Sequence, residues 1–265
     1  MSNNDEPKLI VDVDGPVTTL TLNRPQTHNA LDIELSALLN AEVRRLRSDR
    51  TCRVVVVRGA GDTFCAGDDL KEFRTWSEED PFWQIPKYQE TAQILQDLPA
   101  ITIARVDGVC AGGGLELTLV CDFVVATDRS RWGMPEIDWE ITPGWGGTSR
   151  LPRFAGRRKA KEWNLLGAMF DGATAERYNL VNRLTAPDKL DAEVQALIEV
   201  ILATDVRTLW RTKKYLNLAP ELHISGALAF ETELLPRPLT DALDDFAVPE
   251  KRKERRKLAE HFWQD

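Results

Sequence analysis

Three consecutive glycines, Gly112-Gly113-Gly114, stand between an apolar, β-branched run at 100–106 and a segment that carries Glu116 among Leu115, Leu117 and Leu119. Glycine lacks a Cβ, so such a run lets the backbone turn sharply and come close to a ligand. A helix opening at about Gly113 would present unpaired N–H groups and the positive end of its dipole, which suits a phosphate or a developing oxyanion. Strand, glycine loop and helix in succession form a unit of an α/β fold.

The rest of the chain keeps that rhythm. Residues 8–13 and 16–22 alternate apolar and polar side chains about Asp14-Gly15, which predicts a β-hairpin ending at the Asn23-Arg24-Pro25 turn. Leu35, Leu38, Leu39, Val43 and Leu46 follow a helical period, and Val54-Val55-Val56-Val57, stopped by Gly59, reads as a buried strand. A helix is expected within 76–97, strands at 100–106 and 123–127, and helix almost throughout from about residue 156. The expected architecture is an α/β core over residues 1–195 and a helical C-terminal region over 196–265. At 265 residues and 43% hydrophobic content, the chain can bury a core without staples.

Charge narrows the partners. With 42 acidic and 34 basic side chains the net charge is −8, which disfavours binding to nucleic acid or anionic lipid. One octet, residues 250–257, carries +4 and leaves −12 on the remainder. By itself that octet reads as a solvated helix face. No apolar run is long enough to span a membrane and the polar start does not resemble an export signal, so a cytoplasmic protein is expected. Cys52, Cys65, Cys110 and Cys121 have no Cys-x-x-Cys spacing and only His28, His223 and His261 accompany them, so neither a zinc site nor a disulfide framework is expected.

Two glycine loops could carry chemistry. The first, Phe64-Cys65-Ala66-Gly67-Asp68-Asp69-Leu70-Lys71, follows the strand at 54–58; the second is Gly108 to Glu116. The second loop is not a phosphate loop, because Gly114-Leu115 stands where Lys-Ser or Lys-Thr is needed, and its spacing is not Gly-x-Gly-x-x-Gly. Glu116 falls inside the helix that the glycines open, and Glu136 follows Pro135 shortly before the turn Thr142-Pro143-Gly144-Trp145-Gly146-Gly147. Two acids on separate elements beside one pocket form a candidate acid and base pair if burial shifts them apart. A Ser-His-Asp site is disfavoured, since no histidine accompanies a Gly-x-Ser-x-Gly turn.

In this order the segments resemble the crotonase superfamily of enoyl-CoA hydratases and isomerases. The resemblance rests on Asn23-Arg24-Pro25 with Asn29-Ala30-Leu31, on the first glycine loop through Glu72, on Ala111-Gly112-Gly113-Gly114-Leu115-Glu116 with Cys121-Asp122, and on Pro135-Glu136 with Pro143-Gly144-Trp145-Gly146-Gly147-Thr148. It implies a spiral of repeated ββα units with a helical C-terminal trimerisation region, assembled as a homotrimer or a dimer of trimers. It implies an acyl-CoA thioester as substrate and no metal or redox cofactor, with CoA entering as part of the substrate.

By the same resemblance the thioester carbonyl is gripped by the backbone N–H groups of Asp68 and Gly113. Glu116 orients and activates water and Glu136 delivers a proton to the α-carbon, which together hydrate a 2,3-double bond. Substrate or CoA contacts fall on Ala30, Ala66, Asp69, Leu70, Lys71, Gly112, Trp139, Gly144 and Lys251, with Arg252 and Lys253 beside the last. A glycine at position 144 counts against the dienoyl-CoA isomerase and dehalogenase branches, which have aspartate there. Two features depart from the simple hydratase pattern. Asp68 places a carboxylate beside a forming enolate, which is unfavourable unless it points to solvent. Glu136-Ile137-Asp138-Trp139 resembles the Glu-Ile-Asn-Trp of hydroxycinnamoyl-CoA hydratase-lyases, and Trp76, Trp83, Trp139 and Trp145 could line an aromatic acyl pocket. That activity, an enoyl-CoA isomerase and a catalytically silent CoA-binding protein are the alternatives.

Overall fold

A computed structural model describes residues 6–234 and 249–262. The chain divides after Asp191 into two compact units.

In the first unit β1 (Leu9–Asp14) and β2 (Val17–Leu22) form the antiparallel hairpin, with Leu9 opposite Leu22 and the turn at Gly15, φ +53°. Positive φ is open to glycine at no steric cost, which is why Asp-Gly closes this turn. β2 then runs parallel to β3 (Val54–Gly59), and the sheet continues through β4 (Ile101–Val106), β6 (Phe123–Thr127) and β9 (Arg183–Thr185). Its order is β1-β2-β3-β4-β6-β9. Val54, Val55, Val56 and Val57 are all buried, as a central parallel strand covered on both faces requires.

A smaller sheet lies beside it, with β5 (Val109–Ala111) parallel to β7 (Arg131–Gly133) and β8 (Phe170–Asp171) antiparallel to β7. Isolated pairings of Cys65 with Cys110, and of Leu31 with Asp68, extend that layer toward the N-terminal turns. The chain therefore visits the large sheet, then the short layer, then a helix or loop, and repeats, which makes a spiral of ββα turns. The short strands of this layer went unread in the sequence, and β8 and β9 interrupt the stretch beyond residue 156 expected to be helical almost throughout. Runs of two or three residues are too short to display a period of two.

Helix α1 (Ile33–Ser48) is capped by Asp32, whose Oδ1 accepts from Leu35 N–H at 2.7 Å, and it buries Leu35, Leu39, Val43 and Leu46 in one stripe. α2 (Leu70–Phe73) is a single turn, and α3 (Asp80–Gln96) packs on α1, with Asn40 Nδ2 donating to Thr91 Oγ1 at 2.8 Å. α4 (Gly113–Thr118), α5 (Gly147–Ala155), α6 (Arg157–Leu166) and α7 (Gly172–Arg177) complete the unit. Leu20, Leu22, Val55, Val57, Ala104 and Val106 of the sheet meet the apolar stripe of α1 in one core. Each fully buried Val or Leu contributes roughly 1.5–3 kcal/mol, so this core holds the loops between its strands in fixed positions.

α8 (Leu190–Leu202) leads into the second unit, which contains α9 (Val206–Leu218), α10 (Ile224–Leu234) and α11 (Pro249–Glu260). Tyr215 of α9 donates to the carbonyl of Ala227 at 2.9 Å and stacks near Phe230, while Arg255 of α11 donates to Thr204 Oγ1 at 2.7 Å. Among the described residues, no helix is long and apolar enough to cross a membrane.

Candidate active site

The first glycine loop is held by backbone pairing on both sides. Cys65 N–H donates to Val109 O and Ala111 N–H to Cys65 O, each at 3.0 Å, while Leu31 N–H reaches Gly67 O at 2.8 Å. Arg24 fastens its far end: one guanidinium nitrogen donates to Ala30 O at 2.6 Å, and the other reaches Asp69 Oδ2 at 2.8 Å and Asp32 Oδ2 at 3.2 Å. Asp69 caps α2 by accepting from Lys71 N–H, and Arg24 holds its carboxyl below the usual range against the opposing effect of burial. The Asn-Arg-Pro motif is visible in the sequence, yet nothing there revealed that its arginine is the clamp of this loop.

These pairings bring the two loops into contact. A Cβ placed on Gly67, where φ is +101°, would lie 3.3 Å from Gly113 N and 3.1 Å from Ala111 O, so any side chain there is strained by the backbone conformation and presses on the facing loop. Asp68 N–H, one residue on, and Gly113 N–H, first in α4, have no acceptor within the protein among the described residues. Two backbone donors without partners on facing loops, one at a helix start, form a place where negative charge on oxygen can be stabilised.

Both glutamates lie beside these donors. Glu116, 1% exposed on α4, accepts through Oε1 from the N–H groups of Trp145 at 2.9 Å and Gly147 at 2.5 Å. Glu136, 8% exposed, sits in the 3₁₀ turn Pro135–Trp139, and its Oε1 would be 3.1 Å from a Cβ on Gly112. Gly112 N–H donates to Gly133 O at 3.0 Å, which ties the glycine loop to the segment leading into Glu136. The second carboxylate oxygen of each, Oε2, is buried without a hydrogen-bond partner. Burial first, and then the charges of Glu136 and Asp68, push Glu116 up to about 8. Burial with the charge of Asp68 pushes Glu136 up to about 7. Near neutral pH such a pair can hold a single proton in either position, as general acid–base chemistry requires.

The Asp68 side chain is only partly exposed, and its Oδ1 accepts from the Trp145 indole Nε1 at 2.9 Å. Trp145 is wholly buried and stacks on Tyr88 with ring centroids 4.7 Å apart and planes 4° from parallel. The sequence marks Trp145 and Gly147 as parts of one turn, and Trp145 also as an aromatic side chain for an acyl pocket. Each also contributes a backbone N–H to Glu116, which no side-chain pattern announces.

The other sequence-predicted residues divide. Ala30 and Ala66 lie in the clamped loops, with Ala66 N–H donating to His28 O, and Leu70 and Lys71 open α2. Gly144 is part of the same turn as Trp145, and a Cβ there would come 2.8 Å from Ile85 Cδ1. Trp139 is 55% exposed and Trp83 is exposed as well, whereas Trp76 packs against Phe73 with ring centroids 4.5 Å apart. The Lys251 side chain lies outside the described residues; Arg252 and Lys253 are exposed on α11. All four cysteines are free thiols, three of them buried.

The sequence profile described as Enoyl-CoA hydratase/isomerase matches residues 12–255. A Rhizobium meliloti protein named "probable enoyl-CoA hydratase" is 36% identical over 228 residues, which cover 85% of this chain and 87% of that protein. The crystal structure of a Bacillus anthracis enoyl-CoA hydratase superposes with a TM-score of 0.87 at 28% identity, covering 93% of this chain and 97% of its own. A Thermobifida fusca structure described as "a putative enoyl-CoA hydratase" in complex with CoA gives a TM-score of 0.81 at 29% identity, covering 91% of this chain and 94% of its own. The spiral fold is the one these structures share.

Proposed function

Given that the chain belongs to the enoyl-CoA hydratase/isomerase family of the crotonase superfamily, we propose that it hydrates the 2,3-double bond of an acyl-CoA thioester. The observation that carries this reading is the pair of buried, unpartnered oxygens, Glu116 Oε2 and Glu136 Oε2, beside the free N–H groups of Asp68 and Gly113. A water molecule offered two acceptor oxygens in a dry site is oriented and made more nucleophilic. The thioester oxygen receives the two N–H groups as negative charge builds on it, and neither donor must reorganise to do so.

In the hydration direction the reactive form is the one in which the single proton of the pair sits on Glu136. Glu116, ionised in that form although burial makes it the weaker acid of the two, takes the proton of the attacking water as oxygen bonds to the β-carbon. The double-bond electrons move onto the thioester to give an enolate. Protonated Glu136 then delivers its proton to the α-carbon, so the water's proton and hydroxyl are both accounted for. The two acids exchange roles in dehydration. No metal or redox group enters this scheme, and CoA comes with the substrate. A homotrimer or a dimer of trimers belongs to the same proposal and is read by analytical ultracentrifugation.

The deciding experiment is turnover of a panel of thioesters. Loss of the enoyl absorbance of crotonyl-CoA with formation of the 3-hydroxyacyl product supports hydration. Aldehyde and acetyl-CoA from feruloyl-CoA or coumaroyl-CoA would assign the hydratase-lyase reaction, and a shifted double bond an isomerase. Binding of acyl-CoA without turnover would leave a silent binding protein.

A further inference from the structure

We propose that Asp68 is a third acid of the site, a positioning residue that acts on Glu116 both through Trp145 and through its own charge. The proposal rests on the reading of Glu116 and Glu136 as an acid and base pair.

Trp145 is the physical link. Its backbone N–H donates to Glu116 Oε1 and its indole N–H to Asp68 Oδ1, both at 2.9 Å, so one residue is pinned at two ends by two carboxyl groups. Its ring is closely confined: it is wholly buried, one face stacks on Tyr88, and its Nε1 edge lies against Gly113, where even a methyl group would come within 3.3 Å. Moving the indole therefore moves the peptide that fixes Glu116 Oε1, and with it the free Oε2. A hydrogen bond to an ionised acceptor is about twice as strong as a neutral one, so the grip on Trp145 depends on the charge of Asp68.

The same charge acts directly on the pair. Asp68 disfavours ionisation of both Glu116 and Glu136. Burial, opposed by the indole N–H, pushes Asp68 itself up to about 6, below the other two. As pH rises it is thus the first of the three to ionise, and it then favours the proton remaining on the glutamates. The charged and titratable neighbours do not neutralise it. Asp69 is paired with Arg24, Lys71 is exposed, Glu72 accepts from Ile33 N–H, and Cys65 and Tyr88 are held protonated by burial. Arg150 feels the charge of Glu116 but is not ion-paired with it; its guanidinium donates to Trp145 O and to Gln93 and Gln96.

The test uses the full chain without substrate first, so that it stands apart from the proposed reaction. Carboxyl protonation is followed by pH-difference infrared spectroscopy in the wild type, Asp68→Asn, Asp68→Ala and Trp145→Phe. Both Asp68 variants keep the backbone N–H at that position. Removal of the charge is expected to move the Glu116 and Glu136 titrations down by about one pH unit, and Trp145→Phe to move the Asp68 titration up. Glutamate titrations that coincide with the wild type in both Asp68 variants would overturn the electrostatic role.

With 2-enoyl-CoA as probe, the pH optimum of Asp68→Asn should move down by a similar amount, and Asp68→Asn should retain more kcat than Asp68→Ala because its amide oxygen still receives the indole N–H. Combining Asp68→Ala with Trp145→Phe should lower kcat no further than the worse single variant. Equal kcat in the two Asp68 variants, or fully additive losses, would overturn the route through Trp145. Absence of any turnover counts against the hydratase reading, while the substrate-free titrations still decide the role of Asp68.

Discussion

Trp145 N and Glu116 Oε1 are 2.9 Å apart, and this bond, with a second from Gly147, satisfies one carboxylate oxygen and leaves the other facing inward with no partner. A buried acid held at one oxygen only is oriented without a direct ion pair. Burial and the neighbouring acids raise its proton affinity, against the smaller opposing effect of the two N–H groups.

Glu116→Gln and Glu136→Gln should each fold and each lose about 10²- to 10⁴-fold in hydration of a 2-enoyl-CoA. In Glu116→Gln the side-chain amide oxygen can still receive the N–H groups of Trp145 and Gly147, so the loop geometry should persist. The measurement is kcat by loss of enoyl absorbance, with circular dichroism to verify the fold. Full activity in both variants would sink the two-acid mechanism.

Stability should fall as pH rises from about 4.5 to about 8. Between the ordinary carboxyl value of 4.5 and the native value near 8, the folded chain keeps a proton on Glu116 that the unfolded chain has released. The folded state therefore binds more protons, and the slope of unfolding free energy with pH is negative. Glu116→Gln removes that dependence, so it should be more stable than the wild type at pH 8 by about 2–4 kcal/mol and show no such gain below pH 4.5. Urea midpoints at the two pH values check this.

Gly67→Ala should impair catalysis more than folding. The new Cβ would sit 3.1 Å from Ala111 O in a residue with φ +101°, a strain of about 1–3 kcal/mol that is relieved by parting the two loops. Parting them separates Asp68 N–H from Gly113 N–H. A fall in kcat larger than the rise in KM is the expected signature.

Arg24→Ala should destabilise the chain by about 2–4 kcal/mol, toward the low end of breaking a buried ion pair, because Asp32 keeps Lys8 at 2.6 Å. Arg24→Lys should not restore it, since one ammonium cannot span Ala30 O and Asp69 Oδ2 as the fork does. Arg24 lowers the Asp69 value, so this contribution is present above the ordinary aspartate value and disappears as pH falls through the native one. Denaturation midpoints of wild type and variant should converge in acid.

The elements with a clear period were legible in the sequence. The β1–β2 hairpin announced itself by alternation about Asp14-Gly15, α1 by its leucine stripe and β3 by four consecutive valines. The two glycine loops and the two glutamates could also be named, because backbone approach demands glycine and a carboxyl group among leucines demands an explanation. The short layer of β5, β7 and β8 could not be read, since two or three residues carry no pattern of their own.

The sequence by itself determined which groups are available: donors freed by glycine, two carboxyl groups and an arginine in the first turn. Tertiary structure alone decided which of them meet. The Cys65–Cys110 and Leu31–Asp68 pairings set the loops face to face, and Trp145, distant in sequence from both Asp68 and Glu116, joins the two acids. The physical reason is that proton affinity depends on distance and burial, which local sequence does not encode. Asp68 read from the chain as an acid better placed in solvent; folding leaves it half-buried and gives one of its oxygens an indole N–H.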